Sequence, residues 1–180
     1  MSDPSYAVKV LDSIPITAAA PSDAFSTTEF GTPATSPSGC TFTSTVLSRD
    51  LSNATYADPP NDCAITSGTL HDPYGGETIK YSTSAVRLNR IVSLEWAWAN
   101  GAATLTPAAR ERFAADINNI VTTSTTNART KDAHGPAAWL PSNQQYRCTY
   151  IEGFIGTVKS FGLTVDARDM FAMRRDLAAC

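Results

Sequence analysis

The stretch "VRLNRIVSLEWAWANG", Val86 to Gly101, places a strand directly before a helix and decides the fold class. Its first half, "VRLNRIV", is typical of a strand or a strand end. Ser93 is a residue type that caps helices at their start, and Gly101 is one that ends them. We therefore predict that the chain changes from strand to helix just after Asn89 and Arg90.

Strand patterns precede this stretch and helical patterns follow it. Before it, "TSTVLSRDL" predicts a short helix over 43–51, and "CAITSGTLHDPYGGETIKYS" predicts a hairpin that turns at "DPYGG". After it, Thr106 and Pro107 predict the start of a helix with one buried face, formed by Ala109, Phe113, Ile117 and Ile120. Two more helices are predicted in "CTYIEGFIGTVKSFG" and "DARDMFAMRRDLAAC", the latter capped by Asp166. Early strands and late helices indicate an α+β fold.

The domain organisation follows from length and composition. A chain of 180 residues is the size of one ordinary domain. Residues 1–45, rich in Ser, Thr, Pro and Ala, predict an extended arm packed on the core, with a short strand or turn at "YAVKVLDSIPI". Residues 46–180 then form the domain itself, and we expect a monomer.

The net charge of −3 hides an asymmetry between the two halves of the chain. Residues 1–86 hold 3 Lys/Arg against 9 Asp/Glu, whereas residues 87–180 hold 11 against 8. An anionic partner such as DNA or RNA would therefore meet the second half, although this balance is weaker than in dedicated nucleic-acid binders. No apolar run approaches the roughly 18 residues of a membrane span, so we expect no membrane partner.

Four cysteines indicate an oxidising, extracellular location. Cys40, Cys63, Cys148 and Cys180 lack zinc-binding spacing, and the composition is rich in Ser and Thr with one glycosylation sequon at Asn53. Three pairings are possible; we favour Cys40–Cys63 and Cys148–Cys180, because each closes a short local loop. Four free thiols in a cytosolic protein are the alternative. The start "MSDPSYAVKV" has no apolar leader segment, so a secreted protein would appear here in its mature form.

An ordered set of motifs along roughly 170 residues resembles the secreted HNH-type nucleases related to the C-terminal domain of GmrSD-type restriction enzymes. No single motif is specific, but their order and spacing are. The set comprises "LDSIPI" at 11–16, "GC" at 39–40, "LSRDL" at 47–51, "SGTLHDPYGG" at 67–76, "W" and "G" at 98 and 101, "FAADINNIV" at 113–121, "N" and "K" at 127 and 131, "AAWLP" at 137–141 and "YRCTYIEGFIGTVKSFGLTVD" at 146–166.

The resemblance implies a ββα-metal core, in which a hairpin and a helix hold one divalent cation, Mg²⁺ or Mn²⁺, against the scissile phosphate. The family strand ends in Asp-His, which help to hold the metal and to deprotonate water; here these positions are Asn89 and Arg90. The family's Cys-Asp-Thr-Arg segment is Cys-Thr-Phe-Thr here, at 40–43. The helix has Trp96 where the family tends to have an acid, with Glu95 one step away. We therefore expect a degenerate site with no metal or a weakly bound one.

The other candidate site residues each have a simpler structural interpretation. Asn119 and Asn127 match positions that the family keeps near its metal helix, but Asn119 also fits a helix end and Asn127 a turn. Lys131 is matched as well and would add a positive charge if it lies near Arg90. Either His71 or His134 could replace the missing base. In the simpler interpretation, His71 forms a hydrogen bond within the hairpin turn and His134 lies in a solvent-exposed loop. Arg90 itself is either an anion ligand or a strand-end arginine paired with Asp72 or Glu95.

Three functions remain compatible with the sequence. The first is a secreted nuclease-fold protein that is catalytically impaired and binds nucleic acid or a protein partner. The second is an active metal-dependent DNA or RNA endonuclease that uses His71 or His134 as its base. The third is a secreted effector-type interaction protein that acts on a host protein.

Overall fold

A computed structural model describes residues 4–21, 23–32, 39–57 and 63–180 of the chain. Helices and small antiparallel sheets alternate along these residues, so the α+β prediction is confirmed. The helices are α1 (Pro4–Asp12), α2 (Phe42–Asp50), α3 (Leu94–Ala99), α4 (Pro107–Ala114), α5 (Thr125–Lys131), α6 (Gln144–Ser160) and α7 (Ala167–Leu177). The strands are β1 (Leu51–Tyr56), β2 (Ile65–His71), β3 (Thr78–Lys80), β4 (Val86–Arg90) and β5 (Ile120–Ser124).

The first sheet has the order β1-β2-β3 and contains the predicted hairpin. Strands β2 and β3 pair antiparallel from Thr69 with Lys80 to His71 with Thr78, and the chain turns between them at "DPYGG". The pairing of β1 with β2 shifts its register twice. Strand β1 was not predicted, because its sequence "LSNATY" carries few apolar residues.

The second sheet pairs β4 with β5 and corrects the predicted helix over 107–121. Helix α4 does begin with the Thr106 cap and Pro107, but it ends at Ala114. Asp116 then accepts a hydrogen bond from the Asn118 backbone and starts a short 3₁₀ turn. The following run of β-branched residues favours a strand over a helix. Ile117 and Ile120 therefore do not belong to the face of α4.

Helix caps explain which of the other helices were predicted. Ser93 and Asp166 accept backbone hydrogen bonds at the starts of α3 and α7, as predicted. Asn143 caps α6, which begins four residues before the predicted start at Cys148. Residues 4–12 form a helix rather than the predicted strand or turn, because α1 buries Ala7 and Leu11 against the helices α6 and α7.

The main hydrophobic core surrounds α6. This helix buries Tyr150, Ile151, Phe154, Ile155 and Val158, and it packs against α1 and α7. A second, smaller cluster lies between α2 and the strands and contains Leu47, Leu51, Leu70 and Val86. Val86 and Leu88 of β4 belong to or pack against this smaller cluster, whereas Ile91 after β4 and Val121 of β5 belong to or pack against the main core.

Two disulfide bonds are formed, with the predicted pairing of the cysteines. Cys40 is bonded to Cys63, and Cys148 is bonded to Cys180. The second bond joins the start of α6 to the residues after α7. Within the described part of the chain, no helix is both long and apolar enough to cross a bilayer.

Candidate functional site

The two central candidates, Asn89 and Arg90, leave β4 in different directions. Asn89 is paired with Val121 and Arg90 with Ile120 in the antiparallel ladder. Because successive strand residues point to opposite faces, these two side chains face different neighbours. The amide oxygen of Asn89 accepts a hydrogen bond of 3.3 Å from the Tyr74 hydroxyl. Asn89 is thus held by the hairpin turn, whereas Arg90 faces α2.

Arg90 is only partly satisfied by protein groups. Its Nη2 donates to the Ala114 carbonyl at 3.1 Å. Its Nε is buried and finds no partner among the described residues, and burial lowers the pKa of the guanidinium from its ordinary value. An ion pair with Asp72, one of the alternatives for Arg90, is not formed, because other donors occupy the Asp72 carboxylate. Arg90 therefore keeps hydrogen-bonding capacity for a further acceptor.

A cavity of about 460 Å³ brings Arg90 together with the segment that follows Cys40. Its walls include Arg90 and Leu88 from β4, Ile120 from β5, and Thr41, Phe42 and Thr43 from the start of α2. Thr41 caps α2 by accepting a hydrogen bond from the Ser44 backbone. The resemblance predicts three departures from the family pattern. Two of them, Asn89-Arg90 and Thr41-Phe42-Thr43, contribute residues to this cavity, the first through Arg90.

Asp72 organises the opposite side of β4–β5, and the sequence did not reveal it as a central residue. Its carboxylate accepts hydrogen bonds from the Tyr74 and Ser124 backbone, the Thr123 hydroxyl at 2.5 Å and the Asn127 amide at 2.9 Å. Burial alone raises the pKa of Asp72, but the four hydrogen bonds outweigh it and lower the pKa. The one sequence feature that could have indicated this role is an acid placed directly between a strand and Pro73.

Asp72 also closes the free edge of β5 together with Asp50. Asp50 accepts from the Thr122 backbone at 2.9 Å, and Arg49 donates to the Ile120 carbonyl at 2.7 Å. With Ser124 bonded to Asp72, the outward N–H groups of Thr122 and Ser124 are both taken by carboxylates. A strand edge whose N–H groups are already bonded in this way is not available for pairing with another strand.

Asn119 and Asn127 have structural partners. Asn119 is fully buried, and its amide bonds both the N–H and the carbonyl of Val92, at 2.8 and 2.9 Å. It ties the loop after β4 to the start of β5. Asn127 donates to Asp72, so Tyr74 and Asp72 connect Asn89 with Asn127. The family-matched asparagines thus hold the strand–strand–helix arrangement together.

Lys131 is the most unusual of the predicted residues. It is completely buried on α5, and its Nζ has no hydrogen-bond partner among the described residues. Burial lowers the pKa of this amine to about 8. It does not line the Arg90 cavity.

The two histidines lie in other cavities. His71 shares a hydrogen bond of 3.1 Å with Thr78 across the hairpin, as its structural interpretation predicts, and it lines a separate cleft of about 530 Å³ beside Arg49 and Tyr146. The His134 ring bonds the Lys131 carbonyl at 3.0 Å and borders a third cavity. Neither histidine faces Arg90.

The residues at the end of β4 do not fit a divalent metal. A hard cation needs several oxygen ligands, and the negative charge of carboxylates. Here the Asn89 oxygen already accepts from Tyr74, the Asp72 oxygens accept from four donors, and Arg90 brings a positive charge. Nowhere in residues 4–21, 23–32, 39–57 and 63–180 do three His, Cys, Asp or Glu side chains come together as metal ligands.

The chain belongs to the family described as GmrSD restriction endonucleases, C-terminal domain, whose model matches residues 42–175. A protein of Arthroderma benhamiae described as an uncharacterized secreted protein is 32% identical over 179 residues, which are 98% of this chain and 85% of that relative. No solved structure matches the chain with significance. The secreted relative and the two disulfides confirm the predicted extracellular location.

Proposed function

We propose that the protein is a secreted member of this nuclease-related family that no longer hydrolyses phosphodiesters and instead binds an anionic group at Arg90. In this proposal β4, β5 and α5 correspond to the ββα core of HNH-type nucleases, with Asn89 and Arg90 at the catalytic positions. The observation that carries the proposal is the cavity that brings Arg90 together with Thr41, Phe42 and Thr43. The resemblance implies that the family has its base and charged residues at positions 90, 41 and 43.

Loss of hydrolysis follows from the chemistry of the guanidinium. A general base must accept a proton from water, and an arginine remains protonated at physiological pH even when burial lowers its pKa. Replacing Asp by Asn and neutral His by Arg makes the site about two charge units more positive. Two unit charges 4 Å apart interact by roughly 4 kcal/mol at an effective dielectric constant near 20. Half of that energy would weaken Mg²⁺ binding by more than about tenfold.

Anion binding is supported by the donors around the cavity. Arg90 offers N–H groups, and Thr32, Thr41 and Thr43 place hydroxyl-bearing residues on the walls. The start of α2 lies beside them, where helix N–H groups favour negative charge. A phosphate of single-stranded or double-stranded nucleic acid, or a carboxylate of a protein partner, has the matching chemistry.

Digestion assays distinguish impaired from active enzyme. Plasmid and RNA substrates are incubated with Mg²⁺ or Mn²⁺ and the unmodified protein, Asn89→Asp/Arg90→His, or this pair combined with Thr41→Asp/Thr43→Arg. We expect no EDTA-sensitive cleavage by the unmodified protein and measurable cleavage by the fourfold variant. EDTA-sensitive cleavage by the unmodified protein would refute the proposal and favour a nuclease that uses another base.

Binding assays then test Arg90 directly. Oligonucleotide affinity is measured by fluorescence anisotropy at several salt concentrations for the unmodified protein, Arg90→Gln and Arg87→Gln. Arg87 is the matched control, because it is an exposed arginine on the same strand that does not line the cavity. We expect Arg90→Gln to weaken binding and to reduce the salt slope by about one. Equal loss in the two variants would contradict a specific role of Arg90, and no oligonucleotide binding would favour a protein partner.

A second candidate function, an active endonuclease that uses His71, has one observation in its favour. His71 lines the 530 Å³ cleft together with the ionisable side chains of Arg49, Asp50 and Tyr146. His71→Ala would abolish any cleavage that this cleft supports, while leaving oligonucleotide binding at Arg90 unchanged.

A further inference from the structure

The glycosylation sequon Asn53-Ala54-Thr55 lies within β1, at an irregular point of the first sheet. Two residues of β1, Asn53 and Ala54, stand opposite the single residue Gly68 of β2. This two-against-one arrangement is a β-bulge. The backbone of Asn53 has a φ of 52°, a left-handed conformation in which asparagine is several-fold enriched among the side chains. The bulge therefore places an asparagine where the strand pairing is interrupted.

The sequon is accessible at the protein surface. The side chains of Asn53 and Thr55 are exposed, while Ala54 between them packs against the smaller hydrophobic cluster. None of these three residues lines one of the three cavities described above. A bulky group on the Asn53 amide would therefore be attached at the surface, outside the cavity of Arg90.

The outer edge of β1 lacks the charges that the other strand edges carry. Within the described part of the chain β1 pairs only with β2, and its sequence "LSNATY" contains no Lys, Arg, Asp or Glu. By contrast, the opposite edge strand β3 has only three residues and carries the exposed Lys80. The edge of β5 is bonded by Asp50 and Asp72. An uncharged edge is open to pairing with a strand of another chain, which a bulky hydrophilic group on β1 would prevent.

We propose that Asn53 carries an N-linked oligosaccharide that covers the edge of β1. The extracellular location takes the chain through a secretory pathway, where Asn-x-Thr with x other than Pro is the acceptor sequence. The donor is an oligosaccharide joined to a lipid through a diphosphate. The Asn53 Nδ2 forms a bond to the anomeric carbon of the first sugar, and the bond from this carbon to the diphosphate oxygen breaks. The lipid diphosphate leaves, and the amide releases one proton.

Mass spectrometry of the secreted protein tests the modification directly. The full chain is expressed behind a secretion leader in a eukaryotic host, purified from the medium, reduced and digested with trypsin. The sequon lies in the tryptic peptide 50–80, between Arg49 and the cleavage after Lys80. We expect this peptide to carry the mass of one oligosaccharide. Peptide-N-glycosidase should remove that mass and leave aspartate at position 53, so that the treated peptide has the mass of the same peptide from Asn53→Asp.

Three variants connect the sugar to the sequon. Asn53→Asp keeps the size of the side chain and tolerates the left-handed backbone, but it removes the acceptor amide and should carry no oligosaccharide. Thr55→Ser keeps the hydroxyl of the sequon and should remain modified, whereas Thr55→Val keeps the shape without the hydroxyl and should not. A secreted protein that is predominantly unmodified at Asn53, or an oligosaccharide that persists in Asn53→Asp or Thr55→Val, would overturn the proposal.

Light scattering at increasing protein concentration tests whether the oligosaccharide covers the edge. Asn53→Gly removes the acceptor, tolerates the positive φ and leaves the edge uncharged. We expect it to self-associate at a lower concentration than the glycosylated protein, and Asn53→Asp, which places a charge at the same point, to self-associate less than Asn53→Gly. Equal self-association of Asn53→Gly and the glycosylated protein would overturn the covering of the β1 edge. These outcomes do not depend on Arg90 or on nuclease activity.

Discussion

Replacement of Asp72 by Asn is predicted to destabilise the protein strongly, although it changes one atom of a side chain. The two carboxylate oxygens of Asp72 each receive two hydrogen bonds: Oδ1 from the Tyr74 backbone and the Thr123 hydroxyl, and Oδ2 from the Ser124 backbone and the Asn127 amide. An asparagine can keep the acceptors at only one of these positions. Its NH₂ group would face two donors at the other.

The magnitude follows from the bonds that are lost. Hydrogen bonds to charged groups contribute about 1.5–3 kcal/mol each, so two lost bonds at a site that is 1% exposed cost about 3–6 kcal/mol. For a domain of 150–250 residues, each kcal/mol lowers the melting temperature by about 2–4 °C. We therefore expect Asp72→Asn to lower the melting temperature by at least about 6 °C.

Thermal and urea unfolding, followed by circular dichroism, measure this change. Asp12→Asn is the matched control, because the exposed ion pair of Asp12 with Arg174 contributes at most about 1 kcal/mol. The pKa of Asp72 is lower in the folded than in the unfolded protein. Its ionised carboxylate therefore contributes fully to the free energy of unfolding above about pH 4, and this contribution is lost as the pH falls through the folded-state pKa. A loss below about 1 kcal/mol in Asp72→Asn, or an equal loss in Asp12→Asn, would refute the reasoning.

Three further predictions concern residues that hold the same region or its surroundings. Asn119→Ala should lose about 2–4 kcal/mol in urea unfolding, because both Val92 backbone groups lose their partner, whereas the exposed neighbour Asn118→Ala should lose little; equal losses would contradict this role. Lys131→Met should stabilise the protein at pH 7, and the gain in the free energy of unfolding should shrink as the pH rises from about 8 to 10. In that range the unfolded lysine stays protonated while the folded one does not. A difference that does not change with pH would contradict a buried, unpaired amine. The variant Cys148→Ser/Cys180→Ser should lose about 4 kcal/mol, because the bond closes a separation of 32 residues; an unchanged melting temperature would show that α7 docks without it.

Local chemistry explains which elements the sequence could predict. Thr106, Asp166 and Ser93 carry cap side chains whose hydrogen bonds are formed within three residues, so the starts of their helices were correctly predicted. The hairpin turn and both disulfide pairings are likewise local in sequence. By contrast, the helical state of α1 depends on packing against α6 and α7, which are distant in sequence. Strand β5 was concealed by the apolar spacing of Ile117 and Ile120, which also fits a helix.

The site was harder to predict, because its partners are distant in sequence. Arg90 meets the start of α2 almost 50 residues earlier in the chain, and Asp72 bonds Asn127 at a separation of 55 residues. Periodicity and capping carry no information about such pairs. The resemblance did supply the positions of Asn89, Arg90, Asn119 and Asn127, but it did not indicate that Asp72 would bind Asn127 or that Arg90 would face Thr41 and Thr43.

Asp72 and Asn119 hold β4, β5 and α5 together through hydrogen bonds that do not involve residues 89 and 90. Asp72 bonds β5 and the start of α5, while Asn119 bonds the loop after β4, and neither residue needs a metal to do so. Changes of charge at residues 89 and 90 therefore leave the hydrogen bonds of Asp72 and Asn119 intact. Under the proposed function, Asp and His can therefore be introduced at positions 89 and 90 without disturbing Asp72 or Asn119. The fourfold variant then tests whether residues 41, 43, 89 and 90 together determine hydrolysis.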